Sequence, residues 1–131
     1  MKPFEIAREV PLSQDEAFSR LTDWMRHADV VPLTTVRLTD TGFVARTALG
    51  RVGFDDPMDV VEWDPPRFCR LEKRGRVIRG WAEISVWPTA SGSKICWREV
   101  AHAIGVPRFL ATAERAVGTR VFSRVIDGLL A

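Results

Sequence analysis

Tyrosine is absent from this chain of 131 residues, and cysteine and histidine occur twice each. Without tyrosine there is no phenol to serve as an acid or as a ligand's hydroxyl anchor, so polar chemistry falls to carboxylates, indole N–H groups and basic side chains. Cys69 and Cys96 form no C-x-x-C pair. His27 and His102 fall in different elements, with no Asp or Cys at metal-ligand spacing, which argues against zinc. Asp55, Asp56 and Asp59 flank Pro57, where turn formation and solvation suffice without a cation. No serine sits in a nucleophile elbow and no glycine pattern cradles phosphate. No apolar run approaches the roughly 18 residues of a membrane span, and the N-terminus lacks a signal-peptide h-region. A net charge of +2 is too small to argue for a polyanionic partner. The basic run Lys73, Arg74, Arg76 and Arg79 reads as solvated surface around a turn at Gly75, without the interleaved aromatics of a nucleic-acid site. The expectation is a cytoplasmic protein with reduced thiols, no metal and no cofactor, as monomer or homodimer.

The composition, 46% hydrophobic and 27% charged, suits one globular domain over residues 1–131. Phe4, Ile6 and Val10 alternate with polar residues in a first strand, Lys2 to Val10, leaving Arg8 unexplained on the apolar side. Ser13 with Glu16 forms a capping box that opens a helix burying Ala17, Phe18 and Leu21. A second short helix, capped by Thr22 or Asp23, runs through Trp24 toward His27 and stops before Pro32. From Thr34 to His102 strands follow one another without a crossover helix, so they pair antiparallel. Val36 and Leu38 mark strand two, and Phe43 to Leu49 strand three. Gly50 to Pro57 reads as a loop. Met58 to Trp63 is strand four, Phe68 to Lys73 strand five, Val77 to Trp87 strand six, and Lys94 to His102 strand seven.

Pro107 opens the last helix, about 37 Å long at 1.5 Å per residue. Its apolar residues, Leu110, Val117, Val121, Phe122, Val125, Ile126 and Leu129, cover an arc of roughly 180°, wider than the stripe of a helix on a flat surface. Ala111 and Gly118 add almost no volume to that arc. Either another backbone approaches closely at Gly118 or space is left there for a ligand, and the second half of the helix packs solidly. Strands grouped between helices, without βαβ alternation, give an α+β fold.

This order resembles the helix-grip fold of the START/Bet v 1-like (SRPBCC) superfamily, which includes polyketide cyclase-like and lipid-transfer proteins. The resemblance is carried by Val10-Pro11-Leu12-Ser13-Gln14-Asp15-Glu16-Ala17-Phe18 and by Leu21-Thr22-Asp23-Trp24. More specific are Phe54-Asp55-Asp56-Pro57-Met58-Asp59-Val60-Val61-Glu62-Trp63-Asp64-Pro65-Pro66, Gly75-Arg76-Val77-Ile78-Arg79-Gly80-Trp81-Ala82-Glu83 and Cys96-Trp97-Arg98-Glu99, which look like a small, mainly actinobacterial branch. The resemblance implies a curved antiparallel sheet of about seven strands wrapped around the last helix, with an apolar cavity between. It carries no catalytic motif.

Strand phase places Ala82, Ile84 and Val86, and Ile95, Trp97, Glu99 and Ala101, on the inner face. Glu99 therefore lies indoors, as an ion pair with Arg8, Arg120 or Arg124, as a ligand contact, or as an acid–base group. Glu114 falls on the helix's apolar arc, reaching water near the helix start or joining Glu99 at a cavity mouth. Three functions follow. In the first, an apolar, lipid- or polyketide-like molecule binds between sheet and helix, lined by Phe43, Ala45, Met58, Val60, Ile84 and Trp97. Leu110, Gly118 and Val121 complete the lining from the helix, Trp24 stands near the entrance, and Glu99, Glu114 and the Trp97 indole are the anchors. In the second, Glu99, aided by Glu114 or His102, shuttles protons as a cofactor-independent cyclase or dehydratase. In the third, outward-facing Trp63, Trp81 and Trp87 bind a protein partner.

Overall fold

The computed structural model describes residues 1–131. Strand β1 (Phe4–Val10) leads to helix α1 (Gln14–Leu21), a 3-10 turn (Trp24–Arg26) and helix α2 (His27–Val30). Strands β2 (Thr34–Leu38), β3 (Gly42–Leu49), β4 (Val52–Asp64), β5 (Phe68–Arg74), β6 (Ile78–Thr89) and β7 (Gly92–Ala103) follow. A second 3-10 turn (Arg108–Leu110) then leads into helix α3 (Ala111–Leu130). All neighbouring strands are antiparallel, in the order β1-β7-β6-β5-β4-β3-β2. The sheet is curled, and the architecture is the α+β helix grip that the strand pattern implies. No helix is long and apolar enough to cross a membrane.

Local chemistry explains most boundaries. The Ser13 side chain accepts the Glu16 N–H at 3.1 Å, while the Glu16 carboxylate turns to Arg20 instead of completing the box. Arg8, unexplained by its alternation, reaches Asp127 of α3 at 3.0 Å. The helix itself begins at Ala111, after the 3-10 turn, not at Pro107. The inner phase expected for β6 and β7 is observed at Ala82, Ile84, Val86, Ile95, Trp97 and Glu99, which are all buried, while Ala101 is only half-buried and Val100, on the other phase, is buried as well.

Three expectations are corrected. The stretch from Gly50 to Pro57 is not a loop: β3 turns tightly at Gly50, whose φ of 63° suits glycine, and β4 pairs from Val52 onward. Pro57 is tolerated because the β4–β5 register begins only at Met58, so its missing N–H breaks no bond on that side. A bulge between Val60 and Glu62 then inserts Val61 and reverses the phase, aligning Trp63 with buried Cys69 and Ile84. Trp63 therefore packs on Phe18 of α1, ring centroids 5.3 Å apart, on the opposite face from Trp81 and Trp87. Trp81 is itself overlaid by the guanidinium groups of Arg70 at 4.6 Å and Arg98 at 5.8 Å. The three tryptophans thus form no single outer patch.

The third correction concerns α3. It lies over β1 and β7 and against α1 and α2, with Val125, Ile126 and Leu129 buried in the main core beside Phe4, Ile6, Phe18, Leu21 and Trp97. A smaller cluster of Val36, Phe43, Leu71 and Ala82 fills the other side of the concave face. Gly118 leaves no ligand space, because a Cβ there would stand 2.7 Å from Cε1 of Phe4. The close approach is made by the Phe4 ring, not by another backbone, and Phe122 extends it, its ring 5.8 Å from both Phe4 and Trp97. Gly118→Leu will therefore destabilise the fold by about 1–3 kcal/mol through overpacking, and Phe4→Ala in the same chain will recover part of that loss. Urea unfolding of the single and double variants checks it; a single variant as stable as wild type would show that the contact yields freely.

Candidate functional site

The polar feature of the concave face is a cluster of three charged side chains from β4, β5 and β7. Lys73 on β5 places Nζ 3.1 Å from Asp56 Oδ2 on β4 and 3.8 Å from Glu99 Oε2 on β7. One strand, β6, lies between Lys73 on β5 and Glu99 on β7. There Gly80 stands beside Lys73 and Ala82 beside Glu99. These small residues leave the lysine stem room to cross. The Trp97 indole N–H donates to Glu99 Oε1 at 3.0 Å, and the Met58 sulfur lies 3.7 Å from Nζ.

The cluster is dry. The Lys73 and Glu99 side chains are each 2% exposed. Two carboxylates face one ammonium, so the set carries an excess negative charge unless a proton is bound. Burial pushes the Glu99 carboxyl above its ordinary range, against the opposing pull of Lys73 and the indole bond. Burial alone would lower Lys73, but Glu99 and Asp56 outweigh it and hold the ammonium above the usual lysine range. Asp56 Oδ1 and Glu99 Oε2 accept no hydrogen bond within the protein.

His27 stands close by, buried, its Nε2 3.0 Å from the Leu21 carbonyl and its ring 6.2 Å from that of Trp97. Burial lowers its pKa, so the neutral ring donates from Nε2. Trp24 stacks on Phe43 at 4.8 Å, with Ala45, Met58 and Val60 packed against the same small cluster. Burial also pushes the Cys69 thiol up to about 12, which leaves it inert.

The residues expected to line one cavity are divided. Ile84 and Trp97 are sealed in the main core. Trp24 and Val60 border an open hollow of about 510 Å³ with Asp40, Thr41, Gly42 and Trp63. Leu110 and Glu114 border a different one, about 300 Å³, with Val106, Ala113 and Val117. Val121 and Leu110 are exposed to 40% and 42%, because α3 seats Gly118 and Phe122 against Phe4 and turns that flank of the arc outward. Glu114 does not join Glu99. It accepts from His102 Nδ1 at 2.8 Å and from the Ala103 N–H at 3.0 Å, bonds that hold its carboxyl below the ordinary range despite partial burial and fasten α3 to the end of β7.

Glu99's partner is Lys73, not Arg8, Arg120 or Arg124. By its sequence Lys73 belongs with the basic residues of a solvated turn, and Asp56 with a loop. For Lys73 a signal existed: it follows Cys69 and Leu71 at the spacing of two that marks one strand face. For Asp56 none did, since glycine, aspartate and proline around it all disfavour strands.

The arrangement matches known architectures along nearly its whole length. A START superfamily protein from Mycobacterium smegmatis superposes with a TM-score of 0.78 at 9% identity, covering 99% of this chain and 97% of that one. Ara h 8.0201 gives 0.68 at 11% identity, covering 98% and 96%. The fold is START/Bet v 1-like. The Mll3558 protein from Rhizobium loti is also similar, with a TM-score of 0.74 and 18% identity over 98% of this chain and 96% of that one. No family model and no curated protein matches the chain in sequence.

The Lys73 cluster has a pH signature. A native pKa of Glu99 above its ordinary 4.5 means that the folded state binds the proton more tightly than the unfolded one, so its contribution to stability falls as pH rises through that interval. Glu114, shifted the other way, loses its contribution as pH falls. The difference between wild type and Glu99→Gln isolates the first effect: the variant gains relative stability from about pH 4 upward. Urea midpoints across that range check it, and a pH-independent difference would contradict the raised pKa. Lys73→Met, which strands both carboxylates, costs about 3–5 kcal/mol near neutral pH.

Proposed function

We propose that this protein binds an apolar small molecule of lipid- or polyketide-like chemistry against the concave face of its sheet, with a hydrogen-bond-donating end directed at Asp56 and Glu99. The observation that carries this reading is the pair of buried carboxylate oxygens without partners, set in an otherwise apolar surface. A buried acceptor left unsatisfied costs about 1–3 kcal/mol, and a ligand hydroxyl or amine would relieve it. The fold adds support, since START/Bet v 1-like proteins commonly hold hydrophobic ligands. Phe43, Ala45, Met58 and Val60 supply the apolar side, the stacked Trp24 and Phe43 rings border it, and no cofactor is called for. The neutral dye N-phenyl-1-naphthylamine should bind saturably and be displaced by a long-chain alcohol. Ala45→Trp, beside Asp56 in register, should weaken the dye about tenfold or more, about 1.4 kcal/mol. Absence of saturable binding would sink the proposal.

A second reading is favoured by the burial that raises the Glu99 pKa beside Lys73. Glu99 then acts as the proton donor or acceptor in cyclisation or dehydration of a bound poly-β-keto chain, with Lys73 stabilising the developing enolate oxygen. Glu99→Gln should abolish turnover of such a substrate while dye binding persists. Equal turnover by the variant would remove this reading and leave the first intact.

A further inference from the structure

Many of the apolar side chains left in solvent lie at one end of the sheet, although Leu38, Trp63 and Trp87 are exposed toward the other. Strands β3, β5 and β7 run toward that end, and β4, β6 and α3 lead away from it. It therefore carries the β3–β4 hairpin, the β5–β6 turn and the β7–α3 connection. Val52 is 80% exposed and Phe109 84%, and Leu49, Val77 and Ile104 are exposed beside them. Leu110 and Val117 continue the apolar surface onto α3 and line the 300 Å³ hollow. The turns at the opposite end have another chemistry: Thr39-Asp40-Thr41, Asp64-Pro65-Pro66-Arg67 and Thr89-Ala90-Ser91.

Charge follows the same pattern. Each of the three apolar segments holds one arginine, Arg51, Arg76 or Arg108, and Leu49 to Val52, Gly75 to Val77 and Ile104 to Leu110 contain no Asp or Glu. The nearby carboxylates Asp55 and Glu114 are already engaged, by Arg46 and by His102. The three arginines remain free to meet an external anion.

Apolar patches of this kind on soluble domains mark contact surfaces. The patch is carried on three separate loops, each pairing an apolar tip with a cation. That pattern matches the boundary of a bilayer, where apolar side chains enter the acyl region while arginines stay at the phosphates. A second copy of the chain fits less well, because a two-fold contact through this end would set the three arginines against their own equivalents. We propose that this end of the sheet docks on the surface of an anionic lipid bilayer, with Val52, Val77, Ile104 and Phe109 inserted and Arg51, Arg76 and Arg108 at the headgroups. Docking does not require that the concave face hold a ligand.

Flotation of the full chain with vesicles tests the proposal, using phosphatidylcholine alone and phosphatidylcholine with about 30% phosphatidylglycerol, a surface that attracts basic residues. The protein should float with the anionic vesicles and much less with the neutral ones, and added salt should release it. Replacing Arg51, Arg76 and Arg108 by Gln should weaken partitioning about fivefold each and about a hundredfold together. Val52→Ser with Phe109→Ser should reduce binding to anionic vesicles while the circular dichroism spectrum stays that of wild type, and Leu38→Ser, at the other end, should leave binding unchanged. No flotation, equal binding to neutral vesicles, or full binding by the loop variants would overturn the proposal. So would a dimer seen by light scattering that Phe109→Ser disperses, since a second copy would then occupy this end.

Discussion

Seven antiparallel strands spaced about 4.8 Å apart make a sheet roughly 30 Å across, while a helix with its side chains is only about 10–12 Å wide, so α3 alone cannot cover the apolar face that this sheet presents. The protein meets this constraint in two ways. The sheet curls, and α3 is set to one side, over β1 and β7, where Gly118 admits the Phe4 ring and Phe122 bridges Phe4 to Trp97. The remaining width falls to α1, the Trp24 turn and α2, which seat Phe18, Trp24 and His27 on the other strands. Everything distinctive about the interior follows from this division: one solid core beneath the second half of α3, one thinner cluster beneath Trp24, and a polar set where the two meet.

That polar set is hard to explain as a stabilising device. A buried ion pair recovers its desolvation cost only with good geometry and satisfied lone pairs, and an apolar replacement is often as stable. Here the Lys73 to Glu99 distance of 3.8 Å is too long for a hydrogen bond, and two carboxylate oxygens have no donor. The one well-made contact to Glu99 comes from Trp97 two residues earlier on the same strand. Incomplete satisfaction at a site walled by apolar groups is the pattern expected where an outside molecule completes the bonding.

The interior cluster and the exposed loops belong to the same half of the molecule. Asp56, Lys73 and Glu99 lie toward the ends of β4, β5 and β7 nearest the apolar loops. Glu114 ties the start of α3 to that same edge through His102 and Ala103. The opposite half, closed by α1 and by polar turns, is the well-packed one. The division between a solid half and an open half therefore runs along the strands, and α3 shares it, with Val125, Ile126 and Leu129 buried and Val117 and Val121 exposed.

Much of this was legible in the chain. Alternation at a period of two assigned the inner faces of β6 and β7 and placed Glu99 indoors, because a strand face needs no partner to declare itself. The order of elements, the Ser13 cap and the long final helix were readable for the same local reasons. What tertiary structure alone decided depended on residues far apart in sequence. Gly118 reads equally as a gap or as a contact until Phe4 from β1 is brought against it. Trp63 changes face through a single inserted residue, Val61, which no period reveals. Lys73 sits in a run of basic residues that resembles a solvated turn, and only the strands carrying Asp56 and Glu99, with small residues on β6 between, make its burial tolerable. Local periodicity determines which way a side chain points, whereas the neighbours it meets are set by register and curvature, which are properties of the whole sheet.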